Sequence, residues 1–126
     1  MKVLIVDDDP NTVQMIEDSI PWEEYGISEI FAAYHGQMAM EIIGKEELDI
    51  VISDIEMPQM DGHHLTKLIK ESDQFCHIPV VIFSSLINEE MRRKGESLGA
   101  DAQLSKPEIG QLVAALDNLI GVTDHQ

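Results

Sequence analysis

Cysteine is almost missing from this sequence. Cys76 is its single representative, so no disulfide can close within the chain, and the residue reads as a small, semi-buried side chain kept reduced. Basic residues are scarce as well: 8 Lys and Arg stand against 24 Asp and Glu, for a net charge of −16. They form no long basic run, which argues against sequence-independent binding to the phosphate backbone of nucleic acid. Long hydrophobic runs are missing too. The first apolar stretch, Val3 to Val6, ends in Asp7, Asp8 and Asp9 and is too short for the core of a signal peptide or for a membrane span. These absences predict a cytoplasmic protein with no membrane insertion and no direct nucleic-acid partner. Neither repeats nor low-complexity tracts occur, so a single domain is expected over 1–121, followed by a frayed tail at 122–126.

A chain of 126 residues with 44% hydrophobic content can bury a core without metal or disulfide staples. Short apolar runs occur at Val3 to Val6, Ile50 to Ile52 and Pro79 to Phe83, with weaker ones at Ile27 to Ala33 and Ala102 to Leu104. Their apolarity is continuous rather than alternating, as in strands buried on both faces. Between them lie apolar residues at helical spacing: Val13, Ile16 and Ile20; Met38, Ile42 and Ile43; Leu65, Leu68 and Ile69; Met91 and Leu98; Leu112, Val113, Leu116, Leu119 and Ile120. Asp9-Pro10 has the form of a helix N-cap followed by Pro at the first helical position, while Gly62 and Gly99 stand where turns are expected. Five strand–helix units result, and right-handed crossovers make them a doubly wound α/β domain with a parallel sheet covered on both faces.

In such sheets ligands bind beyond the carboxyl ends of the strands. The residues found there are Asp7, Asp8, Asp54, Ser84 and Lys106. Three carboxylates brought to one edge repel each other unless a cation neutralises them, and Mg2+ prefers such hard oxygen donors while keeping room for water and phosphate oxygens. With their charge offset, one carboxylate can attack phosphorus to form an acyl phosphate, since positioning and electrostatics carry most of phosphoryl transfer. Ser84 and Lys106 supply a hydroxyl donor and an ammonium for phosphoryl oxygens.

The stretches VDD (Val6 to Asp8), SDIEMPQMDG (Ser53 to Gly62), IPVVIFSS (Ile78 to Ser85) and SKP (Ser105 to Pro107) together resemble the CheY-like receiver domains of bacterial two-component response regulators, over residues 2 to 120. The resemblance implies a flavodoxin-like (βα)5 fold with strand order 2-1-3-4-5. It implies Asp54 as phosphoacceptor, with Asp7, Asp8, Asp54 and the Glu56 carbonyl holding Mg2+, for which Mn2+ can substitute, and Ser84 and Lys106 contacting the phosphoryl group. It also implies a sensor histidine kinase as phosphoryl donor and a downstream protein at the face of the fourth helix, fifth strand and fifth helix. Many receivers have a cis bond at Lys106-Pro107, and Leu86 and Glu56 would flank the path of the hydrolytic water. One departure is Gln103, where receivers commonly carry an aromatic residue that turns inward on activation. MDGHHLTKLIKE and FSSLINEEMRRKGESLGADAQLSKPEIGQLV further resemble receivers attached to chemotaxis coupling scaffolds, whereas PWEEYGI is similar to receivers of certain DNA-binding regulators.

Two other functions use similar residues. A haloacid-dehalogenase-type phosphatase typically carries a second Asp two positions after its nucleophile, where this chain has Glu56, and a pseudo-receiver would not need the full set of five residues. His63 and His64 are adjacent, so on a helix they face apart, and both read as surface polar residues rather than a metal pair.

Overall fold

The computed structural model describes residues 1–57, 60–85, 87–106 and 108–120. Expectations for the Lys106-Pro107 bond, Leu86 and the tail at 122–126 lie outside the described residues.

Val3, Leu4, Ile5 and Val6 have no more than 1% exposure because β1 (Lys2–Val6) has a hydrogen-bonded neighbour on each edge and helices on each face. The chain continues through α1 (Pro10–Ser19), a 3-10 turn (Trp22–Tyr25), β2 (Glu29–Ala33), α2 (Gly36–Lys45), β3 (Ile50–Ser53), α3 (Gly62–Lys70), β4 (Val80–Ser84), α4 (Glu89–Leu98), β5 (Ala102–Ser105) and α5 (Ile109–Ile120). All four strand pairings are parallel and the order is β2-β1-β3-β4-β5. This is the flavodoxin-like arrangement expected.

Alternate residues of each strand feed separate cores, as a two-residue side-chain period requires. Val3, Ile5, Ile50, Ile52, Val81 and Phe83 meet Val13 and Ile16 of α1 and Leu112 and Leu116 of α5 on one face. Leu4, Val6, Val51 and Val80 meet Ala39 and Ile43 of α2 and Leu65 and Ile69 of α3 on the other. Side chains cap the first four helices at their amino ends. Asp9 accepts from Asn11 N ahead of Pro10, His35 Nδ1 from Met38 N, Asp61 from His64 N and Asn88 from Met91 N.

Several sequence expectations need correction. Cys76 is exposed rather than semi-buried, lying in the turn between α3 and β4. Leu68 is also exposed, because Thr66, whose hydroxyl donates to Gly62 O at 2.7 Å, takes the buried position beside Leu65 and Ile69. Gly99 does end α4 in the left-handed region, at φ 96°, where a Cβ is disfavoured. Gly62 is different: it is the first residue of α3, and a Cβ there would overlap the Asp54 carbonyl oxygen and come within 3.0 Å of Ile55 Cα. Its hydrogen is needed for close approach.

Two glycine substitutions should therefore have opposite signs. Gly62→Ala displaces backbone and should cost about 2–3 kcal/mol in urea denaturation. Gly44→Ala, on α2 with nothing within 4 Å of the added carbon, should stabilise by about 0.5–1 kcal/mol through helix propensity.

Candidate functional site

After β2 the chain crosses back over β1 to form β3, so β1 and β3 flank the point where the strand order reverses. The register pairs Val6 with Ser53, and the next residues, Asp7 and Asp54, leave the sheet side by side. Asp7 N donates to Ala33 O at 3.0 Å and Asp54 N to Val6 O at 2.9 Å, so both are fixed by the last rungs of the ladders. Their exposures are 2% and 7%. Asp8, one residue on, is exposed. Carboxylate oxygens of Asp7, Asp8 and Asp54 lie within 4.8 Å of one another, the one such acid, histidine or cysteine cluster among the described residues.

Lys106, next after β5, reaches back across the strand ends. Its Nζ is 2.6 Å from Asp7 Oδ2 and 3.3 Å from Asp54 Oδ2. Its backbone N donates to Ser84 O at 3.1 Å, tying the lysine to the end of β4. The other carboxylate oxygens of the inner pair accept main-chain protons: Asp7 Oδ1 from Asp9 N at 3.0 Å, and Asp54 Oδ1 from Ile55 N at 2.7 Å. The Ser53 hydroxyl donates to Asp54 O at 2.8 Å, and Gly62 N donates to Ile55 O at 2.9 Å. Through these bonds the loop before α3 holds Asp54 in place.

The electrostatics are strained by burial. Loss of water raises the pKa of Asp7 above the carboxylate value of 3.8, against the opposing pull of Lys106 and of the Asp9 amide, and the charge of Asp54 adds to the rise. Burial acts to lower the pKa of Lys106, but its bond to Asp7 and the charges of Asp54 and Asp7 outweigh this and raise it. With all four groups ionised, one ammonium faces three carboxylates, leaving an excess of two negative charges. Hard oxygen donors so disposed fit a divalent cation such as Mg2+.

The five residues expected at the edge therefore converge in part through direct contact and in part through adjacency. Asp7, Asp54 and Lys106 touch, Asp8 joins the carboxylate group, and Ser84 is fully buried at the adjoining strand end. Glu56 is exposed and lines the cleft, of about 590 Å³, together with Asp8, Asp54, Asp61, His63, Met91 and Lys94. Another opening of about 620 Å³ lies near Leu48, Phe75, Ile78 and Leu119, at the amino ends of the strands, and among the described residues carries no such cluster.

The family described as the response regulator receiver domain matches residues 3–117. The chain belongs to the receiver family. It is 34% identical over 121 residues to the gliding motility regulatory protein of Myxococcus xanthus, spanning 94% of this chain but 15% of that protein. The receiver domain of the Francisella response regulator 1452 superposes with a TM-score of 0.81 at 33% identity, covering 94% of this chain and 95% of that one. Chemotaxis protein CheY4 of Vibrio cholerae does so with a TM-score of 0.82 at 28% identity, covering 94% and 97%. This receiver spans less than half the length of the curated relatives it matches.

Two residues of this receiver depart from what their sequence context suggests. His63 is not at the surface: it is 2% exposed, its ring lies against the main chain of Met91, and its Nε2 has no hydrogen-bond partner among the described residues. Burial, reinforced by Lys94, pushes its pKa down. No local signal reveals this, because α4 from elsewhere in the chain covers it. His64, its neighbour, is exposed as expected. Gln103 is the other, with its amide buried beneath α4.

Because Asp7 has a raised folded-state pKa, its ionisation opposes folding. That cost is absent below the unfolded value of 3.8 and complete above the raised folded value. Asp7→Asn should thus raise the urea midpoint at pH 7 in buffer with a metal chelator. The gain should shrink as pH falls through the carboxylate range; a lowered midpoint at pH 7 would contradict the assignment.

Proposed function

We propose that this receiver is a phosphoacceptor switch in which Asp54 takes a phosphoryl group from the phosphohistidine of a sensor histidine kinase. The observation that carries this reading is the contact of Lys106 Nζ with both buried carboxylates, Asp7 and Asp54, at the carboxyl edge of the sheet. A carboxylate oxygen of Asp54 attacks phosphorus, the phosphorus–nitrogen bond breaks, and the departing imidazole nitrogen takes a proton.

Asp7, Asp8 and Asp54, with the Glu56 carbonyl, would hold Mg2+ or Mn2+. The cation supplies charge neutralisation for the carboxylates and for the incoming phosphoryl oxygens. The remaining work belongs to the protein. Lys106 exchanges a carboxylate for a phosphoryl oxygen, the Ser84 hydroxyl donates to another, and the Asp54 main chain stays pinned by Val6, Ser53 and the Gly62 turn.

The state of Asp54 then sets affinity for a downstream protein at the face made by α4, β5 and α5. Neither nucleic acid nor membrane is needed: the charge of −16 opposes the first, and among the described residues no helix is long and apolar enough to cross a bilayer. We place the protein in the cytoplasm and favour a chemotaxis-type pathway, supported by the likeness of its second half to receivers on chemotaxis scaffolds. Turnover is restricted to its own acyl phosphate, so it is a regulator rather than an enzyme acting on external substrates.

Intact-mass spectrometry after incubation with acetyl phosphate and Mg2+ tests this. The parent should gain one phosphoryl group, retain the gain when Mn2+ replaces Mg2+ and lose it in chelator. Asp54→Asn should gain none, and Lys106→Ala should label about a hundredfold more slowly. A parent that acquires no phosphoryl mass would overturn the proposal.

A further inference from the structure

Helix α4 is held differently from the other helices. Gly95 is the one residue of α4 that is buried, and Met91 and Leu98 are only partly covered. Apolar burial therefore contributes little to keeping it on the sheet.

What α4 has instead is a polar exchange with β5. Gln103 Nε2 donates to the Arg92 carbonyl at 2.8 Å, and Arg92 Nη1 donates to the Gln103 carbonyl at 3.1 Å. Both bonds join the same two residues, one on the helix and one on the strand. Gly95 makes room for them, because a Cβ at that position would overlap the Gln103 side-chain oxygen. The glycine costs helix propensity in the middle of α4, and its left-handed conformational range is not used: the positive-φ glycines are Gly26 and Gly99.

The polar accounting around the same helix is incomplete. Among the described residues, the buried side-chain atoms without a partner are Gln103 Oε1 and His63 Nε2. Gln103 underlies α4 on its β5 side, and His63 meets Met91 on its α3 side. Unpaired buried polar atoms weaken whatever packing contains them, so both deficits fall on one element.

We propose that Gln103, Arg92 and Gly95 form a polar latch that positions α4 on β5. Inward placement at position 103 is thus occupied by an amide that is bonded to α4 itself. The helix changes position by breaking two hydrogen bonds, and the unpaired atoms beside it keep the barrier to that change low.

Native-state hydrogen exchange read residue by residue on the full chain tests the latch. Helix propensity alone predicts that Gly95→Ala slows exchange of the α4 amides. The latch predicts the reverse, about tenfold faster exchange in α4 with β1 and β3 unchanged. Gln103→Met, which fills the space but cannot donate to Arg92, should match it. Exchange in Gly95→Ala equal to or slower than in the parent would overturn the proposal. Should Gly95→Ala lose protection throughout, Gln103→Met decides alone: faster exchange confined to α4 supports the latch, and unchanged exchange refutes it.

A coupled measurement rests on Asp54 as phosphoacceptor. If α4 responds to that site, Gln103→Met changes the lifetime of the acetyl phosphate-derived label by about fivefold or more. A parent that does not label defeats the phosphoacceptor reading, whereas equal lifetimes in labelled parent and variant defeat the coupling and leave that reading standing.

Discussion

Two carboxylates taken out of water on neighbouring strands repel each other, yet the ladder between β1 and β3 holds Asp7 and Asp54 side by side, with Lys106 in contact with both. The lysine comes from the far side of the sheet, after β5, where the β3·β4 and β4·β5 ladders place it. Burial nevertheless keeps the pKa of Asp7 above its ordinary value, which means the ion pair does not fully offset the desolvation of that carboxylate. The site is built with charge left over. An edge left with excess negative charge is held at the expense of stability, a common arrangement where function and fold compete for the same residues.

The helices are seated unequally on the sheet. Helices α1, α2, α3 and α5 are seated by apolar side chains in two apolar cores, while α4 rests on a glycine, an exchanged pair of hydrogen bonds and two side chains with unpaired atoms. Strand ends buried in the sheet carry Asp7, Asp54 and Ser84, and the loosely held helix borders the cleft that Asp54 lines. Met91 and Lys94 of α4 line that cleft with Asp54, so the helix with the weakest apolar anchor stands beside the aspartate.

Much of this was legible in the chain. Continuous apolar runs marked the strands, the stripe of Val13 and Ile16 and that of Leu112 and Leu116 marked helices, and Asp9-Pro10 marked a cap that the structure bears out. Boundaries slipped by a residue or two: Ser53, Ser84 and Ser105 complete their strands through backbone bonds to which hydroxyl side chains give no clue. The Trp22–Tyr25 turn, with the Trp22 indole donating to Glu17 O at 3.0 Å, has no periodicity to announce it. Leu68 and Cys76 were misread because each depended on which neighbour took the buried position.

The sequence by itself determined the order of strands and helices, the chemistry available at each strand end and the family these features resemble, because local pattern and residue type suffice for those. Only the tertiary structure decided that Lys106 bridges Asp7 and Asp54, that Gly62 is needed for its absent side chain and not for a turn, and that His63 and Gln103 are buried against α4. The reason is common to all of them. Each depends on a residue distant in sequence arriving within a few ångströms, and side-chain burial under another element leaves no trace in the periodicity of either one.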